Sequence, residues 1–532
     1  MKSGENYKAF GRRRFLLLLG GLAIAGAALQ SCAKKARTLM LKLTGTNHIL
    51  GHRLWAKDFP PPSSTIKTQY LIIGGGISGL SAARQLAKNG ITDFLLLEME
   101  NHTGGNSSSG ANRYSKFPLG AHYLPLPNLH DKILLEFLEE ANIVVSYKNG
   151  IPQFDGNQLC FAPHERLFIN HSWQEGLVPR YGNDRNTDAE LDRFFVAMDA
   201  FRKDKDGSGK YYFDLPVSAA SPDAKYHHLD SMTMYQWLQR ERFMSDEVYH
   251  YIDYCCRDDF GLGISSISAW AGIHYFAARK NDYGRDAVLT WPEGNARLAF
   301  HLKKFSAQNT LCNHLAYEVS LTENGVEVFA FGAETKKSVR IMAGKAIVAA
   351  PQFVVTHLLP DRAFTKEFTY APWLLATLTV TALPDNESFP LCWDNVIYGG
   401  KGLGYIYDQH QDVAQQHDKK VITYYYSFAD ADTKRSRKEL YTRKPEYWKE
   451  MVLAELETAH PGIRDYVEEI RLHRLGHGMI SPVAGFMFGD ARQQAAMPLQ
   501  GKIFFAHSDL SGISVFEEAF HQGIVAANQA ML

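Results

Sequence analysis

The stretch that decides the fold runs from Tyr70 to Asn106 and reads YLIIGGGISGLSAARQLAKNGITDFLLLEMENHTGGN. It begins with strand-forming residues, passes through a glycine turn into a segment rich in helix formers, and ends on a second apolar run at Phe94–Leu97. Asn89-Gly90 supplies a helix stop signal between the two apolar runs. This order predicts a β-α-β unit of about 30 residues.

The glycines of this unit predict what it binds. In the pattern Gly74-x-Gly76-x-x-Gly79, the first glycine permits a tight turn, the second lets the backbone approach a pyrophosphate, and the third lets the helix pack closely on the strand. Ser78 lies in the same turn, where free N–H groups of a helix start face phosphates. Glu98 ends the second strand, where a carboxylate accepts hydrogen bonds from ribose hydroxyls. The pattern predicts a site for FAD or NAD rather than NADP, and the alternative is a glycine-rich turn without a ligand.

Two further segments favour a flavin. Glu98 is followed by Gly104-Gly105-Asn106 and then by Pro118–Tyr123. Together with the glycine turn, they resemble the flavin-containing amine oxidase superfamily, which includes the phytoene-desaturase-like and protoporphyrinogen-oxidase-like branches. In that family's E-xxx-R-x-G-G-R run, His102 and Asn106 stand here in place of the two arginines. The resemblance implies FAD as the cofactor, with contacts from the following residues: Gly104, Gly105, Asn106, Gly120, Ala121 and His122.

The same resemblance returns near the end of the chain. In the family, a strand that matches the one starting at Ala316 holds the adenine through backbone groups. Asn324-Gly325 lies between β-branched runs and predicts a hairpin there. Asp509 follows a strand that resembles the family's closing strand, at the acidic position that contacts the ribityl chain or the pyrophosphate. The loop containing Ser514 and the helix from Phe516 complete the implied flavin site.

These observations predict an α/β fold with two domains. A Rossmann-like FAD-binding domain is assembled from three separated segments, and an α+β substrate domain occupies the chain between them. The FAD-binding segments are residues 67–130, 286–352 and 500–532, and the substrate segments are 131–285 and 353–499. We expect 131–285 to be mainly helical, and Gly399–Gly404 to be a loop rather than a second nucleotide site. Alternation along a strand places Tyr424 and Tyr426 on one face and Tyr425 on the other.

Residues 1–32 predict an export signal. Arg12-Arg13-Arg14 precedes the apolar run Phe15–Leu29, which is typical of a Tat signal. The run would span about 22 Å as a helix, short of the ~30 Å hydrocarbon core, so a transmembrane anchor is the alternative that we disfavour. Leu29-Gln30-Ser31-Cys32 resembles a bacterial lipobox. We therefore expect the Tat machinery as a partner and a periplasmic protein held to the membrane by a lipidated Cys32, with simple cleavage nearby as the alternative.

Residues 33–66 are predicted to be a tether. Three prolines at Pro60–Pro62 favour an extended, semi-rigid spacer just before the first strand.

Composition excludes several classes of protein. The chain has 57 Lys+Arg against 57 Asp+Glu, and its body carries no basic run, so nucleic acid is not an expected partner. The 6 cysteines show no regular spacing, which disfavours a disulfide framework. No C-x-x-C or H-E-x-x-H pattern occurs, and no metal site is predicted.

The implied cofactor defines the expected reaction. We expect an exported FAD-dependent oxidoreductase that removes a hydride from an amine, within the range of polyamines and amino acids, to flavin N5. Oxygen or quinone would re-oxidise the flavin. His477 is the candidate titrating group near the flavin, with a structural histidine as the alternative. Two other functions stay open: a desaturase-like or alcohol-oxidising enzyme of the same fold, and a flavin-binding assembly or partner protein without turnover.

Overall fold

The structure, a computed structural model, describes residues 39–280, 282–284, 287–412 and 417–532. These residues form two large sheets, three two-stranded sheets and fourteen α-helices. The strands are β1 (Met40–Gly45), β2 (Pro62–Ile73), β3 (Phe94–Leu97), β4 (Ser109–Ala111), β5 (Lys116–Pro118), β6 (Tyr123–Pro125), β7 (Val144–Lys148), β8 (Ile151–Phe154), β9 (Glu165–Ile169), β10 (Ser172–Glu175), β11 (Val288–Thr290), β12 (Thr310–Leu311), β13 (His314–Thr322), β14 (Gly325–Gly332), β15 (Lys337–Val348), β16 (Tyr370–Val380), β17 (Asp394–Ile397), β18 (Tyr405–Tyr407), β19 (Lys420–Ser427), β20 (Val467–Ile480) and β21 (Ile503–Phe505). The α-helices are α1 (His48–Gly51), α2 (Arg53–Ala56), α3 (Ile77–Lys88), α4 (Lys132–Glu140), α5 (Arg185–Lys203), α6 (Met234–Arg240), α7 (Asp246–Phe260), α8 (Ala269–Ala277), α9 (Ala296–Lys303), α10 (Gln352–Leu358), α11 (Thr433–Thr442), α12 (Pro445–Ala459), α13 (Asp490–Ala496) and α14 (Phe516–Met531).

The first sheet contains the predicted β-α-β unit. Its order is β12-β3-β2-β15-β14-β13, with β21 beside β15. β2, β3, β15 and β21 are mutually parallel where they pair, and β13, β14 and β15 form an antiparallel meander. The predicted hairpin at Asn324-Gly325 is confirmed, because Thr322 pairs with Gly325. The sheet therefore brings together strands from three distant parts of the chain.

Strand alternation divides the apolar residues of this sheet between two cores. Ile72 and Ile347 pack with α3, α9 and α14 on one face. Their neighbours Leu71 and Val348 point to the other face, into the larger core shared with the remaining helices. Because the sheet is buried on both faces, its central strands are apolar without interruption.

The second sheet has eight strands in the order β1-β20-β16-β19-β18-β17-β9-β10. β16 lies between β19 and β20 and is antiparallel to both, while β17 and β9 are parallel. Every residue of β16 is buried. Helices α7 and α8 contribute to the larger core with residues of this sheet such as Trp373 and Tyr425.

Several local signals in the sequence explain where helices begin and end. Thr233 and Gln236 form a capping box at the start of α6. Pro445 occupies the first turn of α12, where its missing N–H has no partner to lose. Gly261 ends α7 in the left-handed conformation, with φ of +74°.

The tether prediction is wrong for residues 40–66. β1 is the edge strand of the eight-stranded sheet, where Lys42 forms an ion pair of 2.8 Å with Glu469. Phe59 stacks on Tyr317 with ring centroids 4.1 Å apart. The proline run did not enforce an extended spacer, because Pro62 is the first residue of β2, a position at which a strand tolerates proline.

Residues 131–285 also contain more strand than predicted. β7, β8, β9 and β10 lie between residues 144 and 175, and β9 and β10 belong to the eight-stranded sheet. Their period-2 pattern is short and interrupted by turns, which is why the helical segments around them dominated the prediction. Residues 41–532 form one compact unit, and the predicted domain boundaries stay a prediction.

The signal predicted at residues 1–32, including Cys32, lies outside the described residues. Within those residues, no helix combines the length and the apolar character needed to cross a membrane.

Candidate active site

The glycine turn lies between β2 and α3, as predicted. Gly74 has φ of +109°, and a Cβ there would lie 2.4 Å from the carbonyl oxygen of Ala349. A Cβ at Gly79 would lie 1.9 Å from the carbonyl oxygen of Gly74. A Cβ at Gly76 would meet no other atom closer than 4.0 Å. Packing of the chain therefore requires the first and third glycines, whereas the second leaves space beside the helix start, as a bound pyrophosphate would need.

Glu98 stands at the end of β3 and faces this turn. Its Oε2 accepts a hydrogen bond of 2.7 Å from the Gly75 N–H, and its Oε1 accepts one of 2.8 Å from the Glu100 N–H. Burial raises the pKa of Glu98 to about 7, although the backbone hydrogen bonds oppose that shift. The carboxylate is thus fixed beside the glycine turn, where a ribose hydroxyl would stabilise its ionised form.

The later predicted cofactor residues assemble around the same turn. The Gly104 N–H donates to the Gly75 carbonyl at 2.8 Å, which holds Gly104 and Gly105 against the turn. The Ala121 N–H donates to the Asn106 carbonyl at 2.8 Å. A Cβ at Gly120 would lie 2.2 Å from that carbonyl oxygen, so this position also requires glycine. The replaced arginine position has a structural role: Asn106 Nδ2 donates to the Gly478 carbonyl at 2.5 Å.

Ala316 lies on β13, the edge strand of the first sheet. The His314 N–H donates to the Glu98 carbonyl at 2.9 Å, so β13 begins next to the predicted ribose-binding residue. A β-bulge interrupts the pairing of β13 with β14 between Ala316 and Glu318. The edge position leaves backbone groups without a neighbouring strand, which suits the predicted backbone contact with an adenine.

The closing segment reaches the glycine turn from the other end of the chain. β21 pairs with β15, and α14 packs along α3. Ser81 Oγ donates to the Phe520 carbonyl at 2.6 Å. A Cβ at Gly523 would lie 2.1 Å from the Ser78 carbonyl oxygen, which shows how close the two helices are. The predicted meeting of the two ends around one site is confirmed.

Asp509 has more protein partners than its predicted role requires. Its Oδ2 accepts from the Gln352 N–H at 2.9 Å and from the Tyr370 hydroxyl at 2.5 Å. His507 Nδ1 lies 2.9 Å from Oδ1. Burial opposes ionisation, but His507 and these hydrogen bonds outweigh it and hold the pKa of Asp509 below its usual value. Asp509 therefore anchors the start of α10, and its contact with a flavin stays a prediction, as does that of Ser514 in the loop before α14.

The geometry argues against His477 as a titrating group. Its ring stacks on Phe353 with centroids 4.0 Å apart. Burial, with smaller contributions from Arg437 and His52, lowers the pKa of His477 to about 3. The imidazole is neutral at any working pH, so we assign it a packing role.

Aromatic side chains form the wall beside Gly120–His122. Tyr425 donates from its hydroxyl to the Gly120 carbonyl at 3.2 Å, and its ring lies 4.6 Å from that of His122. Trp393 lies 5.7 Å from His122. Burial lowers the pKa of His122 to about 4, so it is neutral as well. Tyr425 faces this wall from β19, whereas Tyr424 faces Gly402 on the opposite side of the sheet, as the alternation predicted.

The sequence reasoning missed a group of carboxylates on this wall. Asp394 on β17 pairs directly with Glu165 on β9, so the two acidic side chains share one face of the eight-stranded sheet. Asp258 approaches from α7, and its charge acts on both of them. Asp258 and Asp394 are surrounded by protein yet keep some accessible surface.

These carboxylates perturb one another strongly. Burial, Asp259 and Glu165 raise the pKa of Asp258 to about 8. Burial, Glu165 and Asp258 raise the pKa of Asp394 well above its usual range. In the described part of the chain, no basic side chain contributes to either shift, whereas the nearby Asp259 has Arg279 beside it. Like charges in a region of low dielectric are costly, so this wall favours a cationic ligand.

A signal for these residues existed in the sequence. Asp258-Asp259 and Asp394 interrupt apolar and aromatic segments, where an acidic residue has no ordinary packing role. Their meeting could not be predicted, because α7 and β17 are more than a hundred residues apart. Among the described residues, no set of three His, Cys, Asp or Glu side chains is arranged to hold a metal ion.

Comparison with known proteins supports the interpretation of the fold. Residues 72–141 match the family described as NAD(P)-binding Rossmann-like domain. Polyamine oxidase 1 of Zea mays is 44% identical over 43 residues, which is 8% of this chain and only 9% of that protein's length.

Two solved structures share the fold over nearly their whole length. Putrescine oxidase bound to putrescine has a TM-score of 0.65 at 16% identity, covering 88% of this chain and 99% of that chain. Cyclohexylamine oxidase from Brevibacterium oxydans IH-35A has a TM-score of 0.61 at 15% identity, covering 87% and 99%. The predicted α/β fold class with a Rossmann-like sheet is confirmed, because these two amine oxidases share the fold.

Proposed function

We propose that this protein is an exported FAD-dependent amine oxidase that acts on a diamine or polyamine. The observation that carries the substrate class is the pair of closely spaced carboxylates Asp258 and Asp394, whose charges act on Tyr123 and Tyr425. The similar structures of putrescine oxidase and cyclohexylamine oxidase support an amine as the substrate. Oxygen or quinone as the electron acceptor, and anchoring at the periplasmic side of the membrane, belong to the proposal as well.

The residues described here fit FAD. Gly76 leaves space at the start of α3, Glu98 presents a fixed carboxylate for a ribose, and Ala316 lies on a bulged edge strand beside it. When bound, FAD supplies an acceptor for the hydride of the carbon next to nitrogen. The chain's own residues bind the substrate, orient it and exclude water.

The two nitrogens of a diamine must be in opposite protonation states. The nitrogen next to the reacting carbon must be neutral, because its lone pair assists loss of the hydride. The aromatic groups Tyr425, Trp393 and His122 provide an apolar environment with no strong acid or base near neutral pH. The other nitrogen stays protonated, and the negative charge of Asp258 and Asp394 favours its position along this wall. A carotenoid carries no charge and a fatty acid carries a negative one, so neither has a group that balances these carboxylates, which disfavours the desaturase-like alternative.

The test is anaerobic mixing of the yellow holoprotein with a panel of amines, alcohols and unsaturated substrates. Bleaching of the flavin by amines supports the proposal. Bleaching only by other donors would establish the desaturase-like or alcohol-oxidising alternative. No bleaching by any donor, with dithionite still reducing the flavin, would leave a binding protein without turnover.

Asp258→Asn tests the carboxylate wall directly. The variant keeps the shape of the side chain and removes its charge, so we expect the dissociation constant of a diamine, taken from the concentration dependence of bleaching, to rise about tenfold or more. Asp246→Asn, at the exposed start of the same helix, makes the same charge change away from this wall and should leave that constant unchanged. Equal affinities in the two variants would contradict the role of Asp258.

A further inference from the structure

Asp408 lies just after β18 and lines a small cleft together with Trp393. The cleft is also lined by His122, Trp291, Tyr407 and Gln411. Asp408 is only 4% exposed. Its Oδ2 accepts a hydrogen bond of 2.8 Å from Thr423 Oγ1, but its Oδ1 is buried without a hydrogen-bond partner among the described residues. A buried carboxylate oxygen that lacks a donor is costly, so it points to a donor supplied by a ligand.

Asp408 continues the carboxylate wall of the proposed active site. Asp394 pairs with Ile406, and Ile406 pairs with Thr423, so these side chains share one face of the sheet. Asp408 follows Ile406 by two residues, and its bond to Thr423 shows that it points to the same face. Diagonal neighbours of this kind have Cα atoms roughly 7–8 Å apart. A linear ligand that lies along Asp394 would therefore reach Asp408.

The chemistry of the cleft selects a cation. Gln411 is committed to the protein, because its Oε1 accepts from the Phe161 N–H at 3.1 Å and its Nε2 donates to the Leu159 carbonyl at 2.7 Å. Trp291 Nε1 donates to Gln158 Oε1 at 2.9 Å. What remains for a ligand is the acceptor Asp408 Oδ1, together with Tyr407, the neutral His122 and the surrounding aromatic rings, and a carboxylate among aromatic rings binds ammonium groups well.

The size of the cleft agrees with this chemistry. It accommodates a group about as large as a water molecule, and a primary ammonium is of that size, whereas an aromatic ring is too large. Burial raises the pKa of Asp408 well above its usual range, and only the hydrogen bond from Thr423 opposes the shift. A bound ammonium would supply the positive charge that this carboxyl lacks.

We propose that Asp408 is the terminal subsite of the substrate channel and takes the far ammonium group of a diamine or polyamine. The proposal rests on the proposed amine oxidase function and extends it, because it requires a substrate with two charged ends and a minimum length. The subsite makes affinity depend on the distance between the two nitrogens, so the protein selects its substrates by chain length.

The experiment compares straight-chain diamines of increasing length with straight-chain monoamines of the same lengths. Affinities come from the anaerobic bleaching of the holoprotein and, independently of turnover, from the shift in its melting temperature on amine binding. In the wild type we expect one diamine length to bind at least about tenfold more tightly than its monoamine, as a charged hydrogen bond in a buried site allows. Asp408→Asn keeps the acceptor for Thr423 but places an amide donor in the cleft, so it should remove this preference for one chain length.

Asp412→Asn is the matched control, since its side chain is 43% exposed and the change in charge is the same. If Asp408→Asn does not fold, Asp408→Ser replaces it with the same expectation. A preference that survives in the Asp408 variant, or that is absent from the wild type, overturns the subsite while bleaching by amines still supports the proposed function. If no amine bleaches the wild type, both proposals fall.

Discussion

The glycines in the turn between β2 and α3 have different neighbours. We therefore expect one of them to matter for folding and another for cofactor binding. A Cβ at Gly79 would collide with the Gly74 carbonyl oxygen, whereas the nearest atom to a Cβ at Gly76 is the Gly105 Cα, 4.0 Å away. Backbone atoms cannot move aside as the end of a flexible side chain can. Glycine is therefore needed at position 79 for packing of the helix on the strand, and at position 76 to leave space for the cofactor.

Gly79→Ala and Gly76→Ala should therefore behave differently. We expect Gly79→Ala to lower the apoprotein's free energy of unfolding by about 1–3 kcal/mol or more, which is the usual cost of overpacking a core. Gly76→Ala should leave the apoprotein's stability within about 1 kcal/mol of wild type but weaken FAD binding. Urea denaturation of the apoproteins and flavin retention on gel filtration measure the two effects. Equal loss of stability in both variants would contradict this division.

His477 provides a second test at the level of residues. Because its pKa is lowered to about 3, it does not change charge between pH 5 and pH 9. We expect His477→Gln to lower stability through lost stacking on Phe353 while the pH profile of flavin reduction keeps its shape. Stopped-flow reduction across that pH range checks this expectation. Loss of one limb of the profile would restore His477 as an acid or base.

Among the secondary-structure elements, the segment from β1 to β2 differs most from expectation. Its prolines suggested a spacer, but β1 joins a sheet and Phe59 stacks on Tyr317, with the Arg53 guanidinium 4.7 Å from the Phe59 ring. Pairing with β20, more than four hundred residues away, is a tertiary contact that no local pattern reports. Composition alone could not distinguish an extended strand from an extended linker.

A packed segment should contribute to stability where a spacer would not. We expect Phe59→Ala to lower the free energy of unfolding by about 1–3 kcal/mol through lost aromatic and cation–π contacts. Ile49→Ala is the control, because Ile49 is 75% exposed and should change stability by less than about 0.5 kcal/mol. Denaturant unfolding of the two variants measures this difference. Equal unfolding midpoints for Phe59→Ala and Ile49→Ala would indicate that the segment is only loosely attached.

The elements that were predicted well are those with strong local signals. The β-α-β unit, the Asn324-Gly325 hairpin and the loop at Gly399–Gly404 each depend on glycine or asparagine at a turn and on strand or helix periodicity beside it. The carboxylate wall depends instead on the register of β9, β17 and β18 and on the approach of α7. Register between distant strands is decided by the whole fold, so Asp258, Asp394 and Asp408 could not be assigned to one site from the sequence.

At the scale of the whole molecule, buried ionisable groups of two kinds should make the apoprotein lose stability as pH rises from about 6.5 to 8. Burial raises the pKa of Glu98 and Glu518 to about 7 and of Asp258 to about 8. Stability that depends on these protonated acids is complete below the ordinary carboxyl pKa of about 4 and is lost progressively as pH rises from there to about 8.

Buried histidines act in the opposite direction. Burial lowers the pKa of His122 and His473 to about 4, so their contribution is complete above about pH 6.5 and is lost as pH falls below it. Between about pH 4 and 6.5 the two kinds of group oppose each other. We expect the melting temperature of the apoprotein to fall as pH rises from about 6.5 to 8, where only the buried acids still contribute a change. A bound diamine should flatten the alkaline side, because an ammonium beside Asp258 stabilises its ionised form. A melting temperature that rises steadily from pH 6 to pH 8 would contradict these shifts.

The contact of α14 with α3 has a consequence for biosynthesis. A ribosome makes the phosphate-facing turn early, yet residues 516–531 that cover it emerge some four hundred residues later. Until then, no helix covers Ser78 and Ser81, and the incomplete Rossmann-like domain stays partly open. Premature termination anywhere upstream of Phe516 would therefore yield a chain with an unfinished cofactor pocket, one that quality-control proteases can distinguish from the finished product by its exposed apolar helix face.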